Sequence, residues 1–144
     1  MYPTIKTIHY TIMIFVLVML LYTVARTFVL KMNKKPFSSV EEKLTLISLI
    51  LVHTQVLVGI VLYVTGPWTG MFSNMGEVMK DSYSRMIVIE HPLTMLIAAV
   101  LVTIGRSKLK RITESDKKIK NVLIFFGIAL LLIIIRIPWQ YING

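Results

Sequence analysis

Four apolar runs dominate the chain. Each is close to the roughly 20 helical residues that cross a hydrocarbon core of about 30 Å. They cover about 8–30, 44–64, 86–105 and 121–139. The first holds no Lys, Arg, Asp or Glu between Lys6 and Arg26, and the second stops before Gly66-Pro67-Trp68. The third carries Glu90, His91 and Pro92 near its start, and the fourth carries Arg136 near its end. Lipid offers no partner to a backbone N–H or C=O, so runs like these must be helices, which satisfy those groups internally. The expected fold is an all-α integral membrane bundle of four helices, one domain over 1–144. The run after Lys6 exceeds a signal-peptide core and no small-residue cleavage pattern follows it, so it is read as a retained helix.

Charge sets the expected orientation. The 16% of charged residues is below the quarter or so typical of soluble domains, and those charges are bunched. Five Lys/Arg lie between Arg26 and Lys43 and seven between Arg106 and Lys120. Lys6, Lys80, Arg85 and Arg136 are the other four. Basic loops stay in the cytoplasm, so both rich connections belong there. The expected topology is up-down-up-down with both termini outside the cytoplasm. The +9 net charge is then a topology signal and not a nucleic-acid surface. Trp68, Trp139 and Tyr141 fall where an outer aromatic belt is expected. Within the outer loop, 66–84, the stretch Met71–Met79 is weakly amphipathic and reads either as a surface-lying segment or as an ordinary loop.

There is no cysteine, which excludes disulfides, thiolate metal sites, cysteine nucleophiles and covalent haem attachment. Three histidines lie in or beside spans, and intramembrane ionisable residues are functional by default. Counted from Lys43, His53 lies roughly 15 Å deep; counted from Arg85, His91 lies roughly 9 Å deep, an offset of roughly 6 Å. Histidines facing each other from two helices can clamp a haem iron. His53 and His91 are the candidate pair, held between the second and third helices. His9 is a reserve ligand, or an interfacial histidine without one. His53 also reads as a neutral interhelical hydrogen-bonding group.

Glu90 is a candidate hydrogen-bond acceptor for a histidine, a proton carrier, or a carboxyl at a wet helix start. Pro92 makes the third helix begin or kink near it. Arg85 and Arg136 are candidate anchors for haem propionates, or snorkelling interfacial residues. No Gly-rich phosphate motif and no Ser or Asp paired with a base is present.

The pattern His53-Thr54-Gln55-Val56-Leu57-Val58-Gly59-Ile60-Val61-Leu62-Tyr63, then Arg85, Glu90-His91-Pro92-Leu93-Thr94-Met95, Thr103-Ile104-Gly105 and Ile137-Pro138-Trp139 resembles a family of small bacterial four-helix membrane proteins commonly labelled cytochrome b. The first helix matches least, with His9 alone similar to the family's early histidine. The resemblance implies a multi-pass protein of the bacterial inner membrane and haem b ligated by His53 and His91. It fits an electron carrier or accessory subunit more than a stand-alone enzyme. Its partners would be the lipid bilayer and a quinone or a larger respiratory or other membrane complex. Two further readings stay open: a copper or zinc site drawing on His9, His53, His91 and Glu90, and a non-catalytic subunit or assembly factor.

Overall fold

The apolar runs mark what lipid would cover, but capping chemistry decides where each helix stops. In the computed structural model, which describes residues 1–142, the long helices are α1 (Tyr2–Met32), α2 (Ser39–Thr65), α4 (Ser82–Leu109) and α5 (Ser115–Arg136). All four are long and apolar enough to cross a membrane. Helix α2 starts before its apolar run because Ser38 and Glu41 cap it reciprocally: the Ser38 amide donates to the Glu41 carboxylate at 2.8 Å, and the Ser38 hydroxyl accepts from the Val40 amide. At α4 the Asp81 carboxylate accepts from the Ser84 hydroxyl at 2.7 Å and from its amide at 2.9 Å. Those bonds hold the Asp81 carboxyl below its ordinary range.

One expectation changes. The fourth helix ends at Arg136 and does not reach Trp139, because Ile137 is extended (φ −69°, ψ 130°) ahead of Pro138. Only the short α6 (Trp139–Ile142) follows. The third helix changes character beside Pro92, where its start or kink is expected. It runs through a wide π turn over Met86–Glu90 and continues as α-helix from His91. The 66–84 connection is structured, with a 3-10 stretch over Pro67–Asn74 and a short α3 (Met75–Lys80). Trp68 and Val78 bury against Leu62 and Val88 and cover one end of the bundle.

Helices α1 and α2 pack together, as do α4 and α5, and α1–α5 and α2–α4 contacts close the ring. The core comprises Val16 and Leu20 of α1, Val52 of α2, Ala98 and Val102 of α4, and Phe126 of α5. Large apolar side chains such as Phe15, Leu57 and Leu131 turn outward and stay more than half exposed. In water each such side chain would forgo the roughly 25 cal/mol gained per Å² of apolar surface buried. Helices hydrophobic on every side are what a bilayer solvates.

Register is set by polar contacts. The Tyr63 hydroxyl donates to the Val88 carbonyl at 2.8 Å, and the Arg106 guanidinium donates to the Thr45 hydroxyl at 3.0 Å. Buried Glu41 accepts from Arg26 at 2.7 Å, Asn121 donates to the Gly105 carbonyl at 2.8 Å, and Thr23 meets Ser48 at 3.2 Å. All but the Tyr63 bond gather at the Arg106 end, where they join all four long helices.

Gly105 lets α4 and α5 touch: a Cβ there would lie 2.6 Å from the Cβ of Phe125, and neither atom can rotate away. Gly105→Ala is expected to destabilise the bundle by about 1–3 kcal/mol, read as a lower thermal midpoint in detergent. Gly127→Ala, which meets nothing within 4 Å, serves as the neutral control.

Candidate functional site

The opposite end of the bundle is hollow. A cavity of about 390 Å³ lies among all four long helices, within the roughly 300–1,000 Å³ usual for small-molecule sites. Its wall is mostly apolar, with Met13, Val16, Met95 and Ile133 among the lining residues. The polar side chains on it include His9 of α1, Gln55 of α2, His91 of α4 and Trp68 of the loop.

Two prolines arrange this wall. Pro138 ends α5, and a helix end leaves carbonyls without donors. The carbonyl of Arg136 is taken by Nδ1 of His91 at 2.8 Å. A carbonyl only accepts, so Nδ1 carries the proton and Nε2 of the neutral ring holds the lone pair. Pro92 lacks the N–H that would bond the Val88 carbonyl one turn back. Tyr63 supplies that donor from α2.

His9 faces His91 across the cavity. Their ring centroids are 6.4 Å apart and the planes lie at 84°. Gly59 makes room for His9, since a Cβ there would be 3.2 Å from its Cε1. Gln55 holds the same turn of α1, donating to the His9 carbonyl at 2.9 Å. Three buried polar atoms have no partner here: Nδ1 of His9, Oε1 of Gln55 and Nε1 of Trp68. Each such atom ordinarily costs about 1–3 kcal/mol. Three on one wall mark a place built for a polar or coordinating guest.

The structure divides the residues expected to act together. His91 is joined by His9, the reserve ligand, and not by His53. His53 lies on the outer surface of α2 and α4, its Nε2 2.8 Å from the Thr103 hydroxyl. Thr103 is twelve residues along α4 from His91, about 18 Å of helix. The expected offset of roughly 6 Å fails because Lys43 and Arg85 are not equivalent depth marks. Lys43 sits inside α2, and Arg85 is drawn in by the Glu90 carboxylate at 3.1 Å. Glu90 also faces Arg136 at 3.7 Å, so it serves two cations, and it makes no hydrogen bond to a histidine among the described residues. Arg85 further donates to the Met79 carbonyl at 2.8 Å. Two guanidiniums against one carboxylate leave a net positive rim beside the cavity.

The cavity admits a clear test of candidate guests. No group of three or more His, Asp or Glu among the described residues can hold a metal ion, so a copper or zinc site shared by His9, His53, His91 and Glu90 is not assembled. A haem iron needs only two protein ligands from opposite sides. Imidazole nitrogens about 2 Å from a common metal place their ring centroids about 6 Å apart, and His9 and His91 stand at that spacing. A mostly apolar wall that carries Lys6 suits a hydrophobic carboxylate. The pairing escaped sequence reading because His9 lies only three residues past Lys6 and looks interfacial. The available signal was the match between Gly59 on α2 and a bulky ring opposite it.

No protein-family model matches the sequence, and no curated protein or solved structure matches it.

Tyr63→Phe leaves the Val88 carbonyl without its donor. It is expected to cost about 1 kcal/mol, since side-chain hydrogen bonds between membrane helices are worth that order, measured as a reduced thermal midpoint against wild type.

Proposed function

We propose that this chain is a bacterial membrane electron carrier that holds one haem b between His9 and His91. The observation that carries this reading is the facing pair of imidazoles, with the lone pair of His91 forced onto Nε2 by the Arg136 carbonyl. Bound haem supplies reversible one-electron chemistry at its iron. The chain supplies the rest. The bond from His91 to Arg136 fixes the ring's tautomer and orientation and raises the basicity of the ligating nitrogen. Gln55 and Gly59 position the His9 turn and its ring. Met13, Val16 and Met95 exclude water. Lys6 lines the cavity, and Arg85 and Arg136, both on Glu90 and next in sequence to or near lining residues, are further cations that suit carboxylates.

In this reading the helices run up-down-up-down in the bacterial cytoplasmic membrane. The basic 26–43 and 106–120 connections face the cytoplasm and both termini lie outside it. The cavity then opens in the outer half of the membrane, where a lipid-soluble quinone or a partner complex can exchange electrons with it.

One optical experiment tests the proposal. Full-length protein supplemented with haem is expected to show a b-type spectrum, oxidised against reduced. His9→Ala and His91→Ala are expected to abolish or markedly alter it, and His53→Ala to retain it. A wild type without a Soret band rejects the haem. A spectrum that survives His9→Ala and is lost in His53→Ala rejects the ligand pair.

A further inference from the structure

The two histidines of the cavity each have a methionine on the same helix face. Met13 follows His9 by four residues on α1, and Met95 follows His91 by four residues on α4. Residues at i and i+4 share a helix face, and all four of these side chains line the same cavity. Contacts fix how the two pairs are set. Helices α1 and α2 are antiparallel, since Thr23 meets Ser48 while Gln55 bonds the carbonyl of His9. Helices α2 and α4 are antiparallel as well, since Thr45 meets Arg106 while Tyr63 bonds the carbonyl of Val88. Helices α1 and α4 therefore run the same way, and they stand diagonally in the ring. His9 is opposite His91, so four residues further along each helix Met13 comes level with Met95.

Two imidazoles thus share one level and two thioethers the next, about 6 Å of helix away. Long side chains on a helix lean toward its N-terminus, which carries both thioethers back toward the imidazoles. Methionine's three rotatable bonds let the sulfur close the remaining distance. The donor set is selective. Thioether sulfur is a soft ligand that favours Cu(I) over harder divalent ions. All four donors are neutral: Nε2 of His91 keeps its lone pair because Nδ1 donates to the Arg136 carbonyl, and a thioether has no proton to lose. No Asp or Glu among the described residues lines the cavity. A divalent ion would bring two uncompensated charges into this apolar wall where Cu(I) brings one. Lys6, the one cation among the lining residues, lies on the far side of His9 from Met13, over the Tyr10 ring at 5.7 Å from its centroid.

We infer that the cavity binds one Cu(I) ion in a site of two imidazoles and two thioethers, made by His9, His91, Met13 and Met95. This set differs from His9, His53, His91 and Glu90, which the fold does not assemble: its last two donors come from the helices that already hold the first two. The site shares its imidazoles with the haem reading but does not rest on it, because haem ligation uses neither sulfur. With the imidazoles shared, the cavity holds one guest at a time. Leucine at 13 and 95 would fill the same space without offering a donor, so the sulfur atoms are what an experiment can isolate.

The test uses full-length, haem-free protein in lipid nanodiscs, titrated anaerobically with Cu(I) in competition with a chromogenic Cu(I) chelator. Wild type is expected to withdraw one Cu(I) per chain, and X-ray absorption at the copper edge to show sulfur as well as nitrogen neighbours. Met13→Leu and Met95→Leu are each expected to lower Cu(I) affinity at least about tenfold, since even an outer partner of a metal ligand is worth roughly 10- to 100-fold. His91→Ala is expected to lower it further. Met32→Leu, at an exposed methionine away from the cavity, is expected to bind as wild type does. Equimolar Zn(II) is expected to leave the bound copper in place. A wild type that shows no Soret band with haem rejects the haem reading and leaves the copper titration standing. No Cu(I) withdrawn by wild type, unchanged affinity in the Met13→Leu/Met95→Leu double variant, copper with nitrogen neighbours alone, or displacement by Zn(II) overturns the inference.

Discussion

Every carbonyl of a membrane-spanning helix needs a donor, and this bundle turns that requirement into a device. Pro92 removes the helical donor of the Val88 carbonyl, and the end of α5 ahead of Pro138 leaves the Arg136 carbonyl without one, so both are satisfied by side chains. The donors are Tyr63 and His91, from the neighbouring helices α2 and α4. Two defects in regular helix thereby become two cross-helix bonds at the same end of the bundle. The π turn over Met86–Glu90 belongs to the same solution, since it carries the chain into His91 and Pro92 without a break.

The two ends are built on opposite principles. At the Arg106 end the buried polar side chains are paired across helices, Glu41 with Arg26, Arg106 with Thr45, and Asn121 with the Gly105 carbonyl, and Nε of Arg106 is the one buried atom there without a partner among the described residues. Small residues bring backbones close there, as at Gly105. At the other end helices stand apart around a cavity, and three buried polar atoms go without partners. Rigidity at one end allows openness at the other. An unpaired group costs about 1–3 kcal/mol, and the tightly joined half of the bundle offsets that cost.

The spans were legible in the sequence because hydrocarbon enforces a length and a composition. The boundaries were less so, since Ser38 with Glu41 and Asp81 with Ser84 extend α2 and α4 by side-chain capping, which apolar windows do not register. The histidine pairing was the least accessible. Depth counted from the nearest charge assumes that charges mark one plane. Here Arg85 is held by Glu90 and the Met79 carbonyl, and Lys43 lies within a helix. The count set His53 and His91 about 6 Å apart in level where the helix separates them by about 18 Å, a discrepancy of about eight residues at about 1.5 Å each. Facing direction was lost as well, because helices apolar on every side carry no moment to show which face is inward.

The histidines acquire different chemistries from neighbours that are already committed. The Arg136 carbonyl has no proton to give, so His91 donates through Nδ1 and keeps its lone pair on Nε2. The Thr103 hydroxyl has spent its proton on Ala99, so His53 donates through Nε2 and keeps its lone pair on Nδ1. One ring thereby keeps its bare nitrogen at Nε2, on the wall of a cavity, and the other at Nδ1, on a groove between α2 and α4. Neither assignment needs a charge, which suits groups at a depth where charge is costly. Both follow from the single proton of a neutral imidazole and from the partner that consumes it.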